Sequence, residues 1–115
     1  MENNVEQILV HHLTAFGNND LDAIVEDYTE TSVLFTPKGI VTGLDNIRQF
    51  FVEFFAVIPT GSAFGMDQKL IEGNVAYILW NSDSDLAQIP VGTDSFVFEG
   101  DKIKYHTVAD YRIAK

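Results

Sequence analysis

The amino-acid sequence predicts an α+β fold in one domain spanning residues 1–115. Apolar residues recur at helical spacing up to Ile58, and everything after Pro59 reads as strand. Gly73-Asn74 and Gly100-Asp101 are turn pairs that make the later strands an antiparallel meander. A composition of 46% hydrophobic residues, with nine phenylalanines, is enough for a bulky core. At this length about two-thirds of the unfolded surface can be buried.

The first helix is expected over Val5–Phe16. Val5, Ile8, Leu9, Leu13 and Phe16 form its stripe, Asn4 with Gln7 resembles a capping box, and Gly17 suits the C′ position. His12 falls on the stripe and His11 to its side. A second helix runs from Leu21 to about Tyr28, capped by Asn19 or Asp20, with Leu21, Ile24 and Val25 inward. Ser32–Thr36 is a strand that stops at Pro37, Lys38-Gly39 turns the chain, and Ile40-Val41 makes a brief return strand. The third helix carries the clearest stripe, Ile47, Phe50, Phe51, Phe54, Phe55 and Ile58, with Thr42 as its cap and Asp45 in its first turn. Four strands follow: about Ala63–Glu72, Asn74–Asp83, Thr93–Glu99 and Lys102–Arg112.

Along Asn74–Asp83 one face carries Ala76, Ile78 and Trp80, and the other Val75, Tyr77 and Leu79. Both faces are apolar, so both need cover. Helices supply one cover, and a second copy of the chain is expected to supply the other.

Seven basic against seventeen acidic residues give a formal charge of −10. That argues against nucleic acid or an anionic membrane as a partner, since both recruit positive charge. No segment approaches the ~18 apolar residues of a membrane span. With acid where a signal peptide carries base, the expected location is the cytoplasm. Without cysteine there is no disulfide, thiolate zinc site or cysteine nucleophile. His11 and His12 are adjacent and diverge, and no pair has ligand spacing, so no metal site is expected. Phosphate-loop and serine-triad signatures are also missing.

Asp94 is the chemical lead. Strand alternation places it on one face with Phe96 and Phe98. A carboxyl carried into apolar surroundings costs free energy unless it is hydrogen-bonded or protonated. It is either a proton donor or shuttle, or a strand-start aspartate bonded to backbone or solvent. His12, polar on an apolar stripe, is either a satisfied core histidine or an acid–base partner in the same pocket. On the last strand His106 and Asp110 share a face with Val108. The opposite face, Ile103, Tyr105, Ala109 and Tyr111, is more apolar, and alternation alone would put that face inside.

Four stretches, in order, resemble the nuclear transport factor 2-like superfamily and its SnoaL-like relatives of polyketide cyclases and ketosteroid isomerases. They are Phe16–Ile24, Thr42–Phe51, Thr93–Ile103 and His106–Asp110. The resemblance implies a cone-shaped, strongly curved mixed or antiparallel sheet wrapped by three helices around an apolar pocket, a cystatin-like roll. It implies that Asp94, Phe96 and Phe98 face the pocket, and it turns His106 and Asp110 inward, against the alternation. In ketosteroid isomerases the counterpart of Asp94 is a protonated oxyanion-hole aspartate. His12 stands where those enzymes have a tyrosine, and Thr36 where they have the base. Thr36 cannot act as a base at neutral pH, so steroid isomerisation by that route is not expected.

The expected function is cofactor-independent proton transfer on a small apolar carbonyl compound, by isomerisation, cyclisation or dehydration. Asp94, His12 and His106 are the catalytic candidates, and Thr36, Phe50, Phe54, Trp80, Phe96, Phe98 and Asp110 would contact the ligand. The alternative is a non-catalytic ligand-binding or dimerisation module of the same fold.

Overall fold

The computed structural model describes residues 2–115, with side chains from Val5 onward. Its elements are α1 (Glu2–Gly17), α2 (Leu21–Val25), β1 (Val33–Thr36), β2 (Gly39–Thr42), α3 (Leu44–Val57), β3 (Ala63–Glu72), β4 (Val75–Asp83), β5 (Ala87–Glu99) and β6 (Lys102–Ala114). The Asn4 side chain, the expected cap, lies outside the described residues. α1 itself begins earlier than expected, at Glu2.

One mixed sheet of six strands, in the order β2-β1-β6-β5-β4-β3, curves around the helices. β1 runs parallel to β6, and every other neighbouring pair is antiparallel. The core lies between its inner face and the stripes of α1 and α3: Leu9, Phe51, Phe54 and Phe55 pack against Ile78, Trp80 and Phe96. No helix among the described residues is long and apolar enough to cross a membrane.

Helix ends differ from the expectation in three places. Asn19, at φ 52°, takes the left-handed position after α1 that the sequence suggests for Gly17. Asp20 caps α2 by accepting from the Ala23 N–H at 3.2 Å, and the helix ends at Val25. α3 is capped by Gly43, not Thr42, and its Leu44 N–H donates to Glu30 Oε1. Gly43 sits at φ 86°, which explains why a glycine occupies that position.

β5 starts at Ala87, six residues before the expected Thr93. Its register with β4 and β6 shifts between Gln88 and Gly92, around Pro90. Proline inside a paired strand is confined to such irregularities because it has no N–H to donate. The shift also switches which residues face inward, from Ala87 and Ile89 to Gly92, Asp94, Phe96 and Phe98. A second bulge has a larger consequence. Phe98 pairs with Ile103 but Val97 pairs with Tyr105, so Lys104 is an extra residue in β6. Strict alternation fails there. Ile103 and His106 are both buried, while Tyr105, Ala109 and Tyr111 point outward. The inner face expected from alternation is therefore wrong beyond Lys104.

The outer face of the sheet is uncovered in the single chain. Phe35, Leu70, Tyr105, Tyr111 and Ile113 are all exposed there, Tyr111 by 61%.

Candidate functional site

Four distant segments bring a polar relay into the core. Asp94 on β5 accepts from Trp80 Nε1–H at 2.7 Å through Oδ1, and from His106 Nε2 at 2.7 Å through Oδ2. The other nitrogen of His106, Nδ1, lies 2.8 Å from the Tyr28 hydroxyl. Asp94 is 7% exposed, Tyr28 3% and His106 1%. One protonation pattern satisfies every atom. Tyr28 O–H donates to Nδ1, Nε2–H donates to the carboxylate, and His106 is neutral.

The electrostatics agree with that pattern. Burial lowers His106 below its ordinary 6.5, although the hydrogen bond and charge of Asp94 pull the other way; His12 adds to the lowering. Burial, with the Asp94 and Asp27 carboxylates, raises Tyr28 well above 10.0, which keeps its hydroxyl protonated.

The relay depends on a residue that sequence reasoning passed over. Gly92 pairs across the strands with Trp80, and a Cβ at Gly92 would lie 2.3 Å from the indole ring. Only glycine lets the ring lie flat over β5 with Nε1 aimed at Asp94. Tyr28 is expected at the end of α2, where no pattern in the sequence marks it as inward. The helix stops at Val25, and the following turn drives Asp27 and Tyr28 inward.

Eight of the ten predicted site residues fall into two compartments. Thr36, Phe50, Phe54 and Asp110 line an open groove of about 770 Å³ between the β1–β2 hairpin, α3 and the end of β6. His12, Phe54, Trp80, Asp94 and Phe96 line a small cavity of about 20 Å³. Phe54 belongs to both. Its ring stands between Trp80, 6.2 Å away, and the Arg112 guanidinium, 5.3 Å away over the ring face. Arg112 is held by Asp110 at 2.6 Å. His106 and Phe98 line neither compartment. His106, the middle member of the relay, stacks on Phe96 at 4.3 Å, and Phe98 packs on Phe96 in the core. Thr36 is tied into its own hairpin, donating to the Gly39 carbonyl at 2.9 Å and accepting from Lys38 N–H.

His11 and His12 do not diverge as expected. Both turn Nδ1 toward the Asp27 carboxylate, at 2.8 Å and 3.5 Å.

A SnoaL-like domain matches residues 9–114, and the chain belongs to that family. No individual curated sequence matches it. Among solved structures it is similar to a SnoaL-like protein of unknown function from Burkholderia thailandensis. That pair shares 16% identity and a TM-score of 0.76, over 96% of this chain and 98% of the other. A Kribbella flavida protein provisionally named a ketosteroid isomerase gives 12% identity and 0.79, over 96% and 79%. A Sinorhizobium meliloti protein provisionally named a polyketide cyclase gives 16% and 0.72, over 90% and 94%. At these identities the likeness carries the fold, a cystatin-like α+β roll.

Proposed function

We propose that the chain binds a small apolar molecule in the groove between α3 and the β1–β2 hairpin. The observation that carries this is the groove itself. At about 770 Å³ it lies within the size range of small-molecule sites, and Phe50, Phe54 and Val57 give it an apolar floor. A few polar groups, among them Asn46, Gln49 and the Asp110–Arg112 pair, stand at its margin to orient a ligand. The isomerase and cyclase names of its structural relatives favour a flat, carbonyl-bearing ring compound. Titration of the chain with a panel of ring ketones, followed by emission of the sole tryptophan, Trp80, tests this. Saturable binding is expected, weakened about tenfold by Phe50→Ala, roughly 1.4 kcal/mol of lost apolar contact. Equal binding by Phe50→Ala, or no saturable binding, would sink the assignment.

A second reading is favoured by one observation: Asp94 and His12 line the same cavity, and its wall, Phe54, is also the groove floor. In that reading a ligand that displaces Phe54 meets Asp94 as acid–base, with His12 and His106 as orienting groups, and no cofactor takes part. General acid–base help is typically worth ~10²–10⁴-fold. Asp94→Asn would then lose turnover and keep binding, whereas under the first reading it changes neither the groove nor its affinity.

A second copy of the chain is the proposed cover for the exposed outer face of the sheet, supported by its aromatic and aliphatic content. Light scattering at micromolar concentration should return twice the monomer mass. A monomer there rules the dimer out.

A further inference from the structure

The Asp27–His12 pair is a second polar unit, separate from the relay. Asp27 is anchored where α2 has ended, its carbonyl accepting from the Ile103 N–H at 2.7 Å. Its carboxylate takes a hydrogen bond from His11 Nδ1 at 2.8 Å, with Glu26 3.8 Å from the same ring. His12 Nδ1 lies 3.5 Å from the other Asp27 oxygen. It is buried, and among the described residues it has no hydrogen-bond partner. The rest of the ring is enclosed by Tyr28, Phe51, Phe96 and His106, with centroids 5.4–5.9 Å away. Tyr28 and His106 are committed to each other and offer His12 nothing.

A neutral imidazole carries one N–H, and here the carboxylate decides where. A bare Nδ1 lone pair would face the Asp27 oxygen, acceptor against acceptor, in a buried site where such a clash is poorly screened. A proton on Nδ1 turns the same contact into an attraction and leaves Nε2 unprotonated. Nδ1 points at Asp27, which does not line the small cavity, so the cavity meets the remaining edge of the ring.

We infer that Asp27 is a positioning residue that fixes His12 as the Nδ1–H tautomer and presents Nε2 to the cavity as a proton acceptor. The cavity then has two acceptors, His12 Nε2 and the Asp94 carboxylate, and at about 20 Å³ it has room for one water. A water donating one hydrogen to each suits that wall, and it places a transferable proton between α1 and β5. The unit does not depend on the groove ligand.

The test is a long-range ¹⁵N–¹H correlation spectrum of the ligand-free chain at mildly alkaline pH, which reads the tautomer of each of the three histidines. His12 is expected as Nδ1–H and His106 as Nε2–H, with a water-to-ring cross-relaxation signal at His12. In Asp27→Asn the amide can donate to Nδ1, so His12 should switch to Nε2–H while His106 keeps its tautomer. A merely structural Asp27 would leave the His12 tautomer unmoved. An Nε2–H His12 in the unsubstituted chain overturns the inference, even if Asp27→Asn does not fold. A correct tautomer without the water signal overturns the occupant. Because no ligand is used, either failure leaves the groove assignment untouched.

Discussion

The relay and the groove lie on opposite sides of Phe54, and they solve opposite problems. Around Asp94 every polar atom of Trp80, His106 and Tyr28 has found a partner inside the protein, and almost no free volume is left. In the groove, apolar rings and the half-exposed Arg112 guanidinium face open space. A satisfied buried network contributes a unique, rigid core, whereas an unsatisfied concave surface has affinity to offer. The residue that attracts chemical attention in the sequence, Asp94, is thus in the compartment better built for order. The compartment better built for binding is assembled from residues with less obvious chemistry.

Substitutions that unbalance the two sides sharpen the contrast. The largest effect is expected from Asp94→Ala, which strands the Trp80 and His106 N–H groups in the core. A loss of about 3 kcal/mol in urea unfolding is expected, with groove affinity unchanged. A loss under about 1 kcal/mol would mean the network is not structural. Gly92→Ala comes next, because the added methyl collides with the indole. We expect a loss of about 2 kcal/mol and a red-shifted Trp80 emission as Nε1 leaves Asp94. Unshifted emission would show that Gly92 does not set the ring position.

The smallest effect is a pH dependence carried by His106. Its folded value lies below 6.5, so between that lowered value and about 6.5 the unfolded chain binds a proton that the folded chain does not. Stability from this group is complete above 6.5 and falls as the pH drops, by at most about 1.4 kcal/mol per pH unit. Tyr28 acts at the other end. Its raised value makes its contribution complete below 10.0 and lost as the pH rises above that. Urea midpoints at pH 7.5 and 5.5 for the chain and for His106→Gln separate the histidine from the many carboxylates. A smaller acid loss in His106→Gln is expected; an equal loss would assign the effect elsewhere.

The physical rules that read well from the sequence were local ones. Stripes at helical spacing identified α1 and α3, because burying one face of a helix is the main source of its stability. Alternation put Asp94 on one face of β5 with Phe96 and Phe98, whereas on β4 it left two apolar faces, of which the structure buries the one with Ala76, Ile78 and Trp80. It failed for β6 because one extra residue, Lys104, inverts the alternation, and nothing in the residue types marks that bulge. The early part of β5 was lost for a related reason. Pro90 and Gly92 look like loop, but one sits at a bulge and the other lies under an indole ring.

What the sequence by itself determined is the α+β order, the apolar stripes of the helices and the placement of an acid on one face of β5 with two phenylalanines. All of these depend on spacings of a few residues along one element. Tertiary structure alone decided the rest. It brought Tyr28 and His106, 78 positions apart, to hydrogen-bond distance, and turned two adjacent histidines onto one carboxylate. It also set Phe54 as the wall between a wide groove and a small cavity. Those outcomes depend on how strands register and helices seat against a curved sheet, and no single segment carries that information.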